Sequence, residues 1–323
     1  MKAVVTGGAG FIGSTLVDRL LEEGNEVVAL DSLEERGSSV PRFLQPHQGK
    51  EGFRFDAGSV LDLNVLRQSV FGADVIFHLA GQTDAGSVTD PAKAHVAITT
   101  GTLNVLLAAK NAGVRRVISS SSSTVYGSPR SLPVREADPT TPTSSHGAGM
   151  LAAEEYCRLF HDLYGLRSVS LRYFTVYGPR QGHGVAINGF AECALRGQRP
   201  QIHGDGDWSQ DFVYITDVVD AVRRCADCPD AKGQALNICS GKVTTINQVA
   251  KGVLEAVGRP DLEPEHLPSR PHEVEPIWGD NTRARELLDW EPKVPVDKGL
   301  VEFVKWYEKF GDRIDPTGTR CSE

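Results

Sequence analysis

KAVVTGGAGFIGSTLVDRLLEEGNEVVALD, running from Lys2 to Asp31, decides the fold. KAVVTG has the short apolar run of a buried strand, FIGSTLVDRLLEEG has helical periodicity and stops at a glycine, and NEVVALD reads as a second strand, so the stretch is a βαβ unit. Gly7, Gly10 and Gly13 fall between the first strand and the helix. Without side chains there, the backbone can turn tightly, a pyrophosphate can approach the helix amino terminus, and helix and strand can pack closely. Tight turns need glycine for conformational reasons alone, so the context matters. Asp31 closes the second strand where a carboxylate can accept both ribose hydroxyls of an adenosine. That charge repels a 2'-phosphate, and Arg36 stands too far along to offset it, so the expected ligand is NAD rather than NADP.

The unit recurs. ADVIFHLA (73–80), VRRVISSSS (114–122) and LRSVSLRYFTVYG (166–178) read as strands, separated by AHVAITTGTLNVLLAAKNAG (94–113) and GMLAAEEYCRLFHDLYG (149–165) as helices. The alternation predicts an α/β fold with a doubly wound parallel sheet and a ligand crevice at the strand carboxyl ends. Beyond residue 180 the regularity fails in GPRQGHG, GDGDWSQD and the proline-rich RPDLEPEHLPSRPHEVEP. The expected organisation is a cofactor domain over 1–180 and, over 181–323, a smaller carboxyl-terminal substrate-binding lobe covering the crevice, with some later segments returning to the sheet.

Composition narrows the function. With 323 residues, 40% hydrophobic and 24% charged, the chain is an ordinary globular protein. A net charge of -8 argues against a nucleic-acid partner, whose phosphates call for clustered Lys and Arg. No apolar stretch approaches membrane-spanning length and the amino terminus goes straight into the first strand pattern, so no membrane partner and a cytoplasmic location are expected. The six cysteines are too few and scattered for a disulfide framework. CADC (225–228) has neither a second CxxC nor a histidine pair, so it is read as partly buried thiols and no metal site is expected.

GxxGxxG, HLAG (78–81), SSSSTVYG (120–127), RYFTVYGPRQ (172–181), GDGDWSQDFVYITDVVDA (204–221) and DNTRARELLDWEPKVPVDKGL (280–300) together resemble the extended short-chain dehydrogenase/reductase family, in its nucleotide-sugar epimerase and dehydratase branch. The resemblance covers nearly the whole chain. It implies a Rossmann domain holding NAD tightly, a lobe for a nucleotide sugar, most like those of UDP-glucose and UDP-glucuronate 4-epimerases, and a homodimer built through two helices per subunit. It further implies that Phe11 and Ile12 join the phosphate loop, that Ser32 follows Asp31 at the ribose, and that Ser59 and Val60 stand where an acidic and an apolar residue usually flank adenine. Leu79, Ala80, Gly81 and Tyr173 would line the cofactor channel, and Gln82, Thr175, Gln210 and Arg270 the substrate site.

The departures from that pattern concentrate where the chemistry lies. The family's YxxxK helix motif falls on TSSHGAGM (143–150), which puts His146 in place of the tyrosine and Met150 in place of the lysine. By the resemblance, the tyrosine takes a sugar hydroxyl proton while hydride leaves for NAD, and the lysine lowers the phenol's pKa to make that feasible. Methionine cannot do so. An imidazole, titrating near about 6.5, needs no adjacent cation, so losing both residues together is chemically coherent. Ile98 and Thr175 stand where asparagines are usual, and Gln210 replaces an arginine expected at the diphosphate, which leaves Arg270 for that role. Serine runs after strands are often turn formers, yet Ser122 and Thr124 match the positions that hydrogen-bond the sugar hydroxyl, making Ser122, Thr124 and His146 the catalytic candidates. A 4,6-dehydratase would carry an Asp-Glu pair at Ser123 and Thr124. Three readings follow: an epimerase that oxidises C4 transiently, a silent protein that binds the dinucleotide and a sugar nucleotide, and a divergent dehydratase or decarboxylase.

Overall fold

The computed structural model describes residues 1–33, 42–81, 88, 90–182, 185–269 and 276–311. Seven parallel strands form the central sheet. Six of them come first in the chain: β1 (Lys2–Thr6), β2 (Glu26–Asp31), β3 (Phe53–Ala57), β4 (Val75–His78), β5 (Arg116–Ser122) and β6 (Arg167–Tyr173). Four short strands follow, β7 (Thr175–Tyr177), β8 (Gln201–His203), β9 (Ser209–Gln210) and β10 (Phe212–Tyr214), and then β11 (Gln234–Ile238) returns to the sheet. The spatial order β11-β6-β5-β4-β1-β2-β3 reverses between β1 and β4, which opens a crevice beyond their carboxyl ends.

β1 shows why these residues make a central strand. Ala3, Val4 and Val5 are all fully buried, because a parallel strand covered on both faces has no solvent side. Val5 packs into the layer formed with Leu16 and Leu20 of α1 (Phe11–Glu22) and Val218 and Val222 of Ile215–Cys225. Its neighbour Val4 faces the opposite layer, with Leu66, Val105, Leu106 and Phe160.

Two elements differ from the sequence reading. The strand pattern over 166–178 breaks at Phe174, whose N–H donates to the Ile238 carbonyl, and the following β7 leaves the sheet to pair with β10. The helix expected over 94–113 starts earlier, at Pro91, where Asp90 Oδ1 accepts the Lys93 N–H at 2.9 Å. It then passes through a π turn at Val96–Thr100 before continuing as Gly101–Ala112. β3 and the helix Leu63–Val70 had no clear pattern in the sequence, since β3 lies at the sheet edge with its side chains only half-buried.

The CADC stretch has a structural use. Arg116, buried in β5, donates through Nη1 to the carbonyls of Cys225 and Cys228, so a cation sits at the carboxyl end of the helix Ile215–Cys225. Burial pushes the Cys225 thiol well above its ordinary range, and among the described residues no cysteine is in a disulfide. Among these residues, too, no group of three or more His, Cys, Asp or Glu could hold a metal ion, and no helix is long and apolar enough to cross a membrane.

Candidate active site

The glycine loop and the end of β4 are built against each other. Gly7 has φ +68°, and a Cβ there would lie 2.7 Å from atoms of Leu79 and Ala80. A Cβ on Gly13 would strike the Gly7 carbonyl oxygen. The Gly10 N–H donates to that same oxygen at 2.9 Å, closing the turn, and α1 starts at Phe11, so the first-turn N–H groups of Phe11, Ile12 and Gly13 open toward the crevice. Asp31 does more than the sequence showed: Oδ2 accepts the Ala9 N–H and Oδ1 the Leu33 N–H, both at 3.0 Å, tying the loop to β2. Each carboxylate oxygen keeps a further lone pair for a ribose hydroxyl. Ser32 is exposed beside it.

Ser59 accepts the Leu61 N–H at 3.2 Å, a local turn bond, while Val60 is buried, with its carbonyl held by Asn104 Nδ2 at 3.2 Å. Tyr173 is buried at the end of β6, its phenol pushed above the ordinary range by that burial and eased only in part by the Ser120 hydroxyl. Gly7 and Gly13 have no room for a Cβ because the loop, the end of β4 and the start of α1 approach so closely, and Asp31 is the acidic residue beside the loop. This arrangement fits NAD, for which Gly7 to Gly13 would meet the phosphates, Asp31 the ribose and Leu79 to Gly81 the rest of the dinucleotide.

A polar chain missed in the sequence holds that channel. The Thr102 hydroxyl donates to the Ile98 carbonyl at 2.6 Å, so it accepts from His78 Nε2–H at 3.0 Å. His78 Nδ1 then accepts from the Thr6 hydroxyl at 2.7 Å, and Thr6 Oγ1 accepts the Ala80 N–H at 3.3 Å. Every donor points one way from Ala80 to the π turn. Burial lowers the His78 pKa to about 4, which keeps the ring neutral, as this chain requires. The only sequence signal was the histidine inside HLAG.

The three catalytic candidates come together. Ser122, ending β5, accepts the Thr124 N–H at 3.2 Å and caps the 3-10 turn Ser123–Tyr126. The Thr124 hydroxyl lies 2.9 Å from Ser122 Oγ and 3.2 Å from Nδ1 of His146. His146 enters on the first turn of the helix Ser145–Tyr164, which Ser144 caps by accepting the Gly147 N–H at 3.1 Å. His146 is only 7% exposed, whereas Ser122 and Thr124 are half-buried, so the two hydroxyl residues are the more accessible members of the group.

The residues read in the sequence as departures from the family pattern meet in pairs. Met150 packs against the apolar cluster of Ala94, Ile98 and Ala153, and a Cβ placed on Gly81 would lie 3.8 Å from Ile98 and 4.0 Å from Met150. Ile98 and Met150 thus share one apolar patch beside Gly81. Thr175 and Gln210 also meet, the threonine hydroxyl donating to Gln210 Oε1 at 2.9 Å. The next residue, Asp211, is anchored, its buried carboxylate accepting the Ser240 N–H and hydroxyl and the Gly241 N–H. Gln82, Arg270 and Arg36 lie outside the described residues.

A doubly wound sheet, a glycine cradle with an acidic ribose position, and a hydroxyl pair backed by an imidazole define a dinucleotide-dependent enzyme that acts on a hydroxyl-bearing substrate. The chain belongs to the NAD dependent epimerase/dehydratase family, whose model matches residues 3–239. It is 39% identical over 313 residues to the UDP-glucose 4-epimerase of Mycolicibacterium smegmatis, covering 95% of this chain and 98% of that one. The crystal structure of UDP-glucose 4-epimerase with UDP-glucose from Thermotoga maritima superposes with TM-score 0.87 at 35% identity, covering 96% of this chain and 99% of that one. UDP-glucuronic acid 4-epimerase from Bacillus cereus, in complex with UDP-glucuronic acid and NAD, gives TM-score 0.86 at 28% identity, over 96% and 100% of the two chains. The protein is thus an NAD-dependent enzyme of the nucleotide-sugar epimerase type.

Proposed function

We propose that the protein inverts C4 of a UDP-hexose by transient oxidation, with His146 as the proton acceptor in place of a tyrosine. The observation that carries this reading is the hydroxyl–imidazole chain, with Thr124 Oγ1 set 3.2 Å from His146 Nδ1 and 2.9 Å from Ser122. When bound, NAD supplies the acceptor and later the donor of hydride. The protein's own residues handle the proton. In the resting structure the Thr124 hydroxyl donates to Ser122 Oγ; a hydroxyl has one proton to give, so Thr124 turns that proton to unprotonated Nδ1 of His146 and is then open to receive from the sugar's C4 hydroxyl. As the C4 hydrogen leaves as hydride, the sugar O–H bond breaks, Thr124 takes that proton, and its own passes to Nδ1. After the keto-sugar turns over, the same chain returns the proton.

Two contacts support a rebuilt site rather than a decayed one. Met150 lies with Ile98 and Thr175 with Gln210, each replacement matched by its neighbour. Ser123 and Thr124 in place of an Asp-Glu pair weigh against a dehydratase. The neutral Gln210 is the observation on the side of a silent sugar-nucleotide binder.

In this reading Gln82, Thr175, Gln210 and Arg270 hold the sugar nucleotide, and residues 1–180 form the cofactor domain with the lobe over 181–323. A homodimer through Gly101–Ala112 and Ser145–Tyr164 is supported by the apolar side chains these helices leave exposed, Leu107, Leu159, Leu163 and Tyr164. The undisulfided described cysteines suit the cytoplasm. The test is NMR detection of the C4 epimer from UDP-glucose or UDP-glucuronate. His146→Ala should slow turnover about 10²–10⁴-fold. Absence of epimerisation in the natural protein, combined with its appearance in His146→Tyr/Met150→Lys, would overturn the reading.

A further inference from the structure

Arg172 in β6 is buried, and its guanidinium reaches both elements that carry the proton pair. Nη2 and Nε donate to the two carboxylate oxygens of Glu154 at 2.7 and 2.9 Å, and Glu154 lies on the helix of His146, two turns further along. Nη1 donates to the Tyr126 hydroxyl at 2.9 Å, and Tyr126 ends the 3-10 turn that carries Thr124. The guanidinium carbon also stacks over the Tyr126 ring at 4.8 Å. From the far side, the Tyr126 phenol donates to Asn237 Oδ1 of β11 at 2.6 Å, and Ser121, next to Ser122, donates to Glu154.

We propose that Arg172, with Tyr126 and Glu154 as its two arms, is a positioning clamp that sets the separation between Thr124 and His146. The inference rests on the reading of those two residues as the proton-handling pair. Its physical basis is that a hydrogen bond of 3.2 Å is already near the long end of the useful range, so a few tenths of an ångström between turn and helix decide whether the proton can cross. A planar guanidinium with two fixed faces holds such a separation better than apolar packing does, since packing constrains distance but not rotation. A buried ion pair adds little net stability over well-packed apolar residues, so a geometric role accounts for its presence better than a stabilising one. Burial pushes the Tyr126 phenol up to about 12 in spite of Arg172, so it stays protonated and serves as a strut, not as a competing base.

The experiment compares Tyr126→Phe, Thr124→Val and their double variant in NAD-loaded protein, reading kcat and KM for UDP-glucose. Tyr126→Phe removes one arm but keeps the ring. It should lower kcat about tenfold, as a sub-ångström misplacement of reacting groups does, with KM unchanged within twofold. In the Thr124→Val background, where the bridge is already gone, Tyr126→Phe should cost nothing more. Glu154→Gln, which keeps the shape of the other arm, should show the same pattern and serves where Tyr126→Phe folds poorly. If Thr124→Val slows turnover and the second substitution costs the same factor in both backgrounds, the proton pair stands and the clamp falls. If Thr124→Val leaves kcat untouched, the pair itself is wrong and the clamp falls with it.

Discussion

Restoring the cation alone should harm this enzyme. In Met150→Lys the thioether, packed on Ala94, Ile98 and Ala153, is exchanged for a stem whose ammonium must leave that patch for water. Losing packing at this half-buried site costs about 1–3 kcal/mol, which lowers Tm by several degrees. The larger effect is on the base. Residues four apart on a helix have Cβ atoms about 5–6 Å apart, and an ammonium remaining within about 6 Å of the imidazolium would repel it by up to about 3 kcal/mol at an effective dielectric near 20. That repulsion acts on the imidazolium, the state His146 must reach to accept the proton, so kcat should fall by up to about 10²-fold. The acid limb of the pH profile should move to lower pH at the same time. The assay is initial-rate epimerisation of UDP-glucose across pH 5 to 9, with thermal denaturation to separate stability from turnover. A rise in kcat on the alkaline plateau of the Met150→Lys profile would refute an imidazole base, since there the ring is already unprotonated and an added ammonium only opposes its protonation.

Other outcomes follow from the same geometry. Turnover of the natural protein should increase with pH through a histidine-like midpoint, because Nδ1 must be unprotonated to receive from Thr124; a flat profile would remove His146 from the reaction. NAD should bind in preference to NADP in a calorimetric titration, and Asp31→Ala should weaken NAD by more than the loss of ribose contacts, since the Ala9 N–H also loses its acceptor. His78 gives a stability prediction with a definite sign. Its pKa is lowered from 6.5 to about 4, so the unfolded chain binds the extra proton first, and a contribution of up to about 3 kcal/mol present above pH 6.5 is lost as pH falls toward 4. Urea melts at pH 7 and pH 4.5 should show that loss, and His78→Gln should reduce it. Light scattering at micromolar concentration should report a dimer, and Leu163→Glu, at a residue 67% exposed in the monomer, should shift it toward monomer.

Local spacing carried what the sequence by itself determined. Gly7, Gly10, Gly13 and Asp31 lie within one βαβ unit, where three glycines, a helix start and a strand end constrain one another over thirty residues. His146 and Met150 were legible as one helix face for the same reason, since the helical repeat relates residues four apart without any tertiary information. What lies under that face was not legible. Met150 meets Ile98, Thr175 meets Gln210 across 35 positions, and Arg172 joins Glu154 to Tyr126 across 18 and 46. These contacts exist because β5 and β6 run side by side in register, Ser122 opposite Tyr173, and because β11 enters the sheet beyond β6. Periodicity assigns each residue to an element and a face, but strand order decides which faces meet, and that order is set by burying both sides of the sheet at once. His146 and the hydroxyls of Ser122 and Thr124 were therefore readable as candidates, while the distances between them and the Arg172 network behind them came from the tertiary structure alone.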